Sequence, residues 1–320
     1  MVNVKAKLEK IPLWFINIIS VVSGIATILS TCFSVISLIR GSSTVSSGII
    51  LAFAASLLFN VLLFFQIRKY ANLEVLRMKK VTSNMHNLLH SVRDIYFDVM
   101  HSYKKNTLNE HWLAKTYQIE LPKILDNLCS VMTAYTSYEV SACIKLITYK
   151  DPEDTIDLDN ATLVTFCRST NSDHNRSSYE SSSTPILLHD NTDFFEVVSK
   201  NFEKTYFYQN NLIAYDKQLQ QNGERYRNSN PNWSSYYRGT IVVPIRIQYE
   251  KLYHLKQDDA YHIIGFLCVD SMSTDAFTKK HEKYNVDLVY AYADVIYILL
   301  GQYRHYLRKF EAEKAKKGVS

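Results

Sequence analysis

Gly239-Thr-Ile-Val-Val-Pro-Ile-Arg-Ile-Gln-Tyr249 and Tyr261-His-Ile-Ile-Gly-Phe-Leu-Cys-Val-Asp270 are the two stretches whose reading decides the fold. Both are short apolar runs rich in Val, Ile and Phe, too brief for buried helices and bounded by polar residues. They read as strands over 240–249 and 261–269. Downstream, Val289, Ala293 and Ile296 recur at helical spacing, which predicts a helix over 279–309. Upstream, 140–149 and 161–167 read as two more strands, separated by the turn-forming Asp151, Pro152, Glu153 and Asp154. Residues 169–192 are rich in Ser, Asn and Asp and read as a mobile loop. A short helix is expected near 194–202, followed by an irregular aromatic region to Tyr237. A helical stretch over 109–138 precedes the strands, and Pro122 within it marks a kink or a break. Before that, Leu73, Leu76, Val81, Met85, Leu88, Leu89, Val92, Ile95 and Val99 give a helical connector from Arg68.

The N-terminal part is of another kind. No charged side chain occurs over 11–39 or over 41–67, and each stretch exceeds the roughly 20 residues that a bilayer core requires. A pair of transmembrane helices, 11–39 and 48–67, is expected, joined by a short external loop at 40–47. Lys5, Lys7 and Lys10 precede the first; Arg68, Lys69, Arg77, Lys79 and Lys80 follow the second. That basic excess on both outer flanks predicts that residues 1–10 and the large C-terminal part face the cytoplasm. In a bacterium the chain would be a multi-pass protein of the inner membrane. One side of the first segment is small and hydroxylic. Ser20, Ser23, Gly24, Thr27, Ser30, Thr31 and Ser34 recur at steps of three and four, within an arc of roughly 140°. In the second, Gly48, Ala52, Ser56 and Asn60 are spaced by four, which places an amide at about mid-membrane depth. These faces suit either packing within one hairpin or association of several copies around an aqueous path.

Composition narrows the rest. The net charge of +5 is modest and much of it sits beside the expected membrane segments, so no sequence-specific nucleic-acid partner is predicted, whereas anionic lipid is. The five cysteines are scattered and never form C-x-x-C, which suits a reducing compartment and excludes the usual zinc spacings. With 8 glycines, and neither G-x-x-x-x-G-K nor G-x-G-x-x-G present, there is little room for a phosphate cradle.

The run Gly239-Thr-Ile-Val-Val-Pro-Ile245, then Ile264-Gly-Phe-Leu-Cys-Val-Asp270, Phe277 and the terminal helix resembles the C-terminal half of a GAF domain. The resemblance extends over 109–310, with residue matches in its second half. It implies an α/β architecture in which a central antiparallel sheet is flanked by helices, in a module that senses small molecules or dimerises. The Asn-Lys-x-x-x-Phe-x-x-x-Asp-Glu signature of the cyclic-nucleotide-binding members is missing. The whole arrangement, two spans, a connector over 68–108, a GAF-like domain over 109–310 and a basic tail over 311–320, resembles two-transmembrane effectors of bacterial anti-phage systems of the retron or cyclic-nucleotide type. That resemblance is architectural. It implies abortive infection through a hairpin that oligomerises and disrupts the membrane, under a protein, nucleoprotein or small-nucleotide trigger. The alternative is a membrane-tethered sensor or scaffold that signals to a separate partner.

Enzyme signals are thin, and neither catalytic residues nor a cofactor are assigned. His86 and His90 lie four apart on the connector and, for want of a third ligand, read as a solvated helix face. His189-Asp190 lacks recognisable companion ligands. The aromatic and basic segment is the better candidate: Tyr208, Arg225, Arg227, Trp233, Tyr236, Tyr237 and Arg238, with Tyr206, Tyr215 and Tyr226 among them, form a candidate ligand or partner lid. In GAF domains this region overlies the ligand pocket.

Overall fold

The computed structural model describes residues 43–148, 160–172, 185–199, 205–248 and 261–316, together with 24, 25, 28, 29, 31–33, 35, 36 and 39; the side chains of 43–53, 247, 248, 261 and 262 are not among those described. The chain divides into two compact units, 1–78 and 79–320. A single helix, α1 (Ser43–Lys104, 62 residues), belongs to both.

In the first unit, the described residues between 24 and 39 are helical. Ile25, Leu29, Phe33 and Ile36 are exposed, and on α1 so are Leu57, Leu58, Phe59, Val61, Leu62, Phe64, Phe65 and Ile67. Most of the first expected span, and the side chains at the start of the second, lie outside the described residues. Among the described residues no helix is long and apolar enough to cross a membrane.

The second unit is a mixed α/β sandwich. After the last turns of α1 come α2 (Glu110–Thr136), β1 (Ser141–Thr148), β2 (Thr162–Arg168), β3 (Ile186–Leu187), α3 (Thr192–Val198), β4 (Phe207–Gln209), α4 (Leu212–Gln221), β5 (Gly239–Gln248), β6 (Tyr261–Ser271) and α5 (Glu282–Lys316). The strands form one six-stranded sheet in the order β3-β2-β1-β6-β5-β4, and every neighbouring pair is antiparallel. The arrangement the GAF resemblance implied, a central antiparallel sheet between helices, is the one observed.

Alternation along the strands splits the interior into two layers. Ala142, Ile144, Ile241, Val243, Ile245, Ile264, Leu267 and Val269 face the layer made with α2, α5 and the end of α1, where Leu88, Ile95, Leu121, Leu125, Val289 and Ile296 are buried. Cys143, Ile147, Leu163, Val242, Phe266 and Cys268 face the other way, under α3, α4 and the segment 226–237. Long-range polar contacts tie the helical layer together: Tyr117 donates to Gln302 Oε1 at 3.0 Å, and Tyr292 donates to Asn127.

Three local differences from the sequence reading have physical reasons. Of the kink or break expected at Pro122, helix α2 excludes the break by running through it. Leu121, Ile124, Leu125 and Leu128 are all buried on one face, and tertiary burial outweighs the single lost backbone bond, about 3 kcal/mol. Within the expected loop 169–192, Leu187 pairs with Thr162 and forms an edge strand. In the region expected to be irregular, Phe207–Gln209 pairs with β5, and Asn211 caps α4 by accepting from Ala214 N at 3.0 Å.

Candidate functional site

The face of the sheet opposite the long helices carries buried charged groups. On β1, Lys145 follows Cys143 on the same side and is buried; its ammonium donates to Thr165 Oγ1 at 3.2 Å on β2 and lies 5.8 Å from the centroid of the Phe194 ring. A register shift between Ile144 and Lys145 marks a bulge, a device that re-aims a side chain. At the end of β6, Asp270 is buried and accepts from Thr240 Oγ1 at 2.7 Å on the partner strand. Asp193, in the first turn of α3, completes the group. Its Oδ1 accepts from Phe194 N at 3.0 Å, and its Oδ2 from the Tyr226 hydroxyl at 3.4 Å. Burial pushes the Asp193 carboxyl up to about 7; the Asp270 charge adds to this, while the Phe194 N–H and Lys145 pull it back. Burial likewise holds the Tyr226 phenol well above its ordinary range.

Over this floor lies an aromatic roof. Trp233 meets Tyr226 edge to face at 5.1 Å and Tyr237 at a tilt at 5.9 Å, and Tyr237 accepts from Asn228 Nδ2 at 2.7 Å. Asn191, just before α3, holds the roof down: its Oδ1 accepts from Ser229 N at 2.9 Å and Oγ at 3.0 Å, and its Nδ2 donates to Leu187 O at 2.9 Å. Thr192 and Arg227 exchange two further bonds, of 3.0 and 2.8 Å. A buried Asn whose amide is used on both sides fixes a loop more sharply than apolar packing alone.

The lid expected from sequence is therefore brought together only in part. Trp233, Tyr236 and Tyr237 pack on the roof side with Tyr226 and Tyr215. Arg225, Arg227 and Arg238 are exposed, and Arg227 stacks 5.8 Å from the Phe195 ring. Tyr208 goes to the other layer, where its hydroxyl donates to Thr278 O and accepts from Asn285 Nδ2, both at 3.0 Å; Tyr206 donates to Glu282 there. Adjacent residues of a strand point to opposite faces, and Phe207 takes the roof side. The floor residues Lys145, Asp193, Asp270 and Thr240 were missed. A lysine inside an apolar strand and an aspartate closing another were the available signals.

The remaining candidates fall apart from this site. His189 Nε2 lies 3.1 Å from Asp190 Oδ1 on a single 3-10 turn. Among the described residues no group of three or more His, Cys, Asp or Glu stands ready for a metal. Cys143 and Cys268 are direct cross-strand partners, buried on the floor, and burial raises the Cys268 thiol far above its ordinary range. Burial also pushes Cys129 up to about 12, so neither Cys268 nor Cys129 is a ready thiolate at neutral pH. Of the hydroxylic stripe, Ser20, Ser23, Thr27, Ser30 and Ser34 lie outside the described residues; Gly24 and Thr31 are helical. Asn60 donates to Ser56 O at 2.9 Å on its own helix.

No family model matches the chain, and no curated protein does. Among solved structures it is similar to a type II free methionine-R-sulfoxide reductase from Thermoplasma acidophilum, with 14% identity over 58% of this chain and 96% of that one, at a TM-score of 0.33. It is also similar to the fRMsr of Staphylococcus aureus in complex with substrate, with 13% identity over 60% of this chain and 95% of that one, TM-score 0.29. A third is the chromophore-binding domain of an unusual bacteriophytochrome from R. palustris, with 9% identity over 68% and 63%, TM-score 0.27.

Proposed function

We propose that the chain is a membrane effector of bacterial anti-phage defence, in which the α/β unit senses a trigger and the apolar N-terminal hairpin oligomerises and disrupts the inner membrane. The observation that carries this reading is the run from Leu57 to Ile67, where eight large apolar side chains on all sides of one helix are exposed. In water such a surface drives association or insertion; in lipid it needs no further cover. The hydroxylic face of the preceding segment is the part that lipid does not reward, which suits contact between copies.

The sensor half rests on the buried floor. Lys145, Asp193 and Asp270 beneath an aromatic roof form a polar patch able to select a small polar ligand, and a ligand that supplies a cationic or donor group to Asp193 would relieve part of its burial penalty. The trigger must bind one state of the protein better than another to shift the hairpin. That floor also serves the second reading, a membrane-tethered sensor that reports to a separate protein.

The test is membrane potential and dye uptake in bacteria expressing the full chain, alone and under phage challenge, beside a variant with Thr27, Thr31 and Ser34 changed to Leu. Depolarisation that the variant loses is the expected result. Intact membranes in every condition would overturn the effector reading, and activity preserved after exchange for unrelated spans would favour the tethered sensor.

A further inference from the structure

His86 and His90 lie on the part of α1 that belongs to the second unit, where Leu88 between them is buried and anchors the helix. Their rings meet edge to face with centroids 4.2 Å apart, and the two Nε2 atoms are 2.9 Å apart. His86 is exposed and His90 half-buried, and among the described residues neither ring has another polar partner. Positions four apart on a helix are neighbours; here the two rings also approach each other through the same atom, Nε2. In the metal-free state one Nε2–H donates to the lone pair of the other. Two neutral imidazoles can instead direct both lone pairs at one cation.

We propose that His86 and His90 form a two-point chelating site for a divalent transition metal of the copper or nickel type. With metal–nitrogen bonds of about 2.0–2.1 Å, nitrogens 2.9 Å apart subtend about 90°, which is the angle between adjacent positions of a square-planar or octahedral ion. A tetrahedral ion would require a separation of about 3.3–3.4 Å. Asp94 lies one turn further along the same ridge, but its carboxylate is held by Arg93 Nε at 3.0 Å and a terminal guanidinium nitrogen at 2.8 Å. Water therefore fills the remaining coordination positions. The pair sits apart from the floor beneath the aromatic roof, so it stands or falls independently of the proposed function.

The experiment is Cu2+ titration of the full, tag-free chain in detergent, followed by electron paramagnetic resonance, with His86→Asn, His90→Asn and, as control, His101→Asn, an exposed histidine of the same helix. The expected result is one equivalent with the nitrogen splitting of two imidazoles, weakened roughly tenfold or more in the first two variants and unchanged in the third. All three substitutions replace solvent-facing or half-buried side chains, and melting curves verify that each variant is folded. The proposal is overturned if the chain takes up no such equivalent, if either variant of the pair binds as the wild type does, or if the control loses as much.

Discussion

Changing Asp193 to Asn isolates the energetics of the buried floor. In the folded chain the Asp193 carboxyl holds its proton up to about pH 7, against an ordinary value of 3.8. Between those limits the folded state binds a proton that the unfolded state has released, so stability falls as pH rises. The contribution is fully present below about pH 4 and is lost as pH passes 7. A rise from 3.8 to about 7, at about 1.4 kcal/mol per pH unit, makes the loss ~4 kcal/mol at full ionisation. For a unit of this size that corresponds to a fall in Tm of about 8–16 °C. Asn keeps the shape and an acceptor for the Tyr226 hydroxyl but cannot ionise, so the variant lacks this slope. Melting curves of wild type and variant at pH 5, 6.5 and 8 provide the assay, and the difference between them cancels the histidines common to both. The expected outcome is a variant that gains on the wild type as pH rises from 5 to 8. A constant difference across that range would refute the argument and mean that Lys145 or solvent compensates the charge.

Gly265→Ala drives a Cβ into Lys145 O and places it 3.1 Å from Leu146 Cα, both backbone atoms of the neighbouring central strand. The strands must part, and about 3 kcal/mol or more of stability is lost, read as a fall of at least several degrees in Tm. Ser137 ends α2 in the left-handed conformation, with φ 66°; Ser137→Gly removes the Cβ penalty and raises the urea midpoint by the equivalent of about 0.5–1 kcal/mol at unchanged m. Asn109 caps the same helix through Trp112 N at 2.9 Å, and Asn109→Ala loses about 1 kcal/mol by the same measurement. Trp233→Ala opens the roof over Tyr226 and Tyr237. Hydrogen exchange of the amides of 226–237 should accelerate, while those of α2 stay protected.

Much of the architecture was legible from pattern alone. The strands over 240–249 and 261–269 fall on β5 and β6 because runs of Val, Ile and Phe buried on both faces have few other ways to lie. The terminal helix follows from its apolar spacing, although it continues to Lys316. What failed was local. Phe207–Gln209 is too short to show alternation and became a strand because β5 offers it an unpaired edge. At Pro122, where the sequence left a kink or a break open, the buried face of α2 carries the helix through. The roof was half legible, since Trp233, Tyr236 and Tyr237 announced it by their chemistry. Tyr208 shared that chemistry and lies on the opposite face.

By itself the sequence determined the long helices, the four longer strands and the apolar character of the N-terminal part, because periodicity is a property of neighbouring residues, whereas the antiparallel sheet was implied only by the resemblance to GAF domains. Only the tertiary structure decided that Lys145, Asp193 and Asp270, on two strands and a helix, share one buried face, and that His86 and His90 point their rings at each other. Sheet order and rotamer choice bring those groups together, and neither is written in the spacing of residues along the chain.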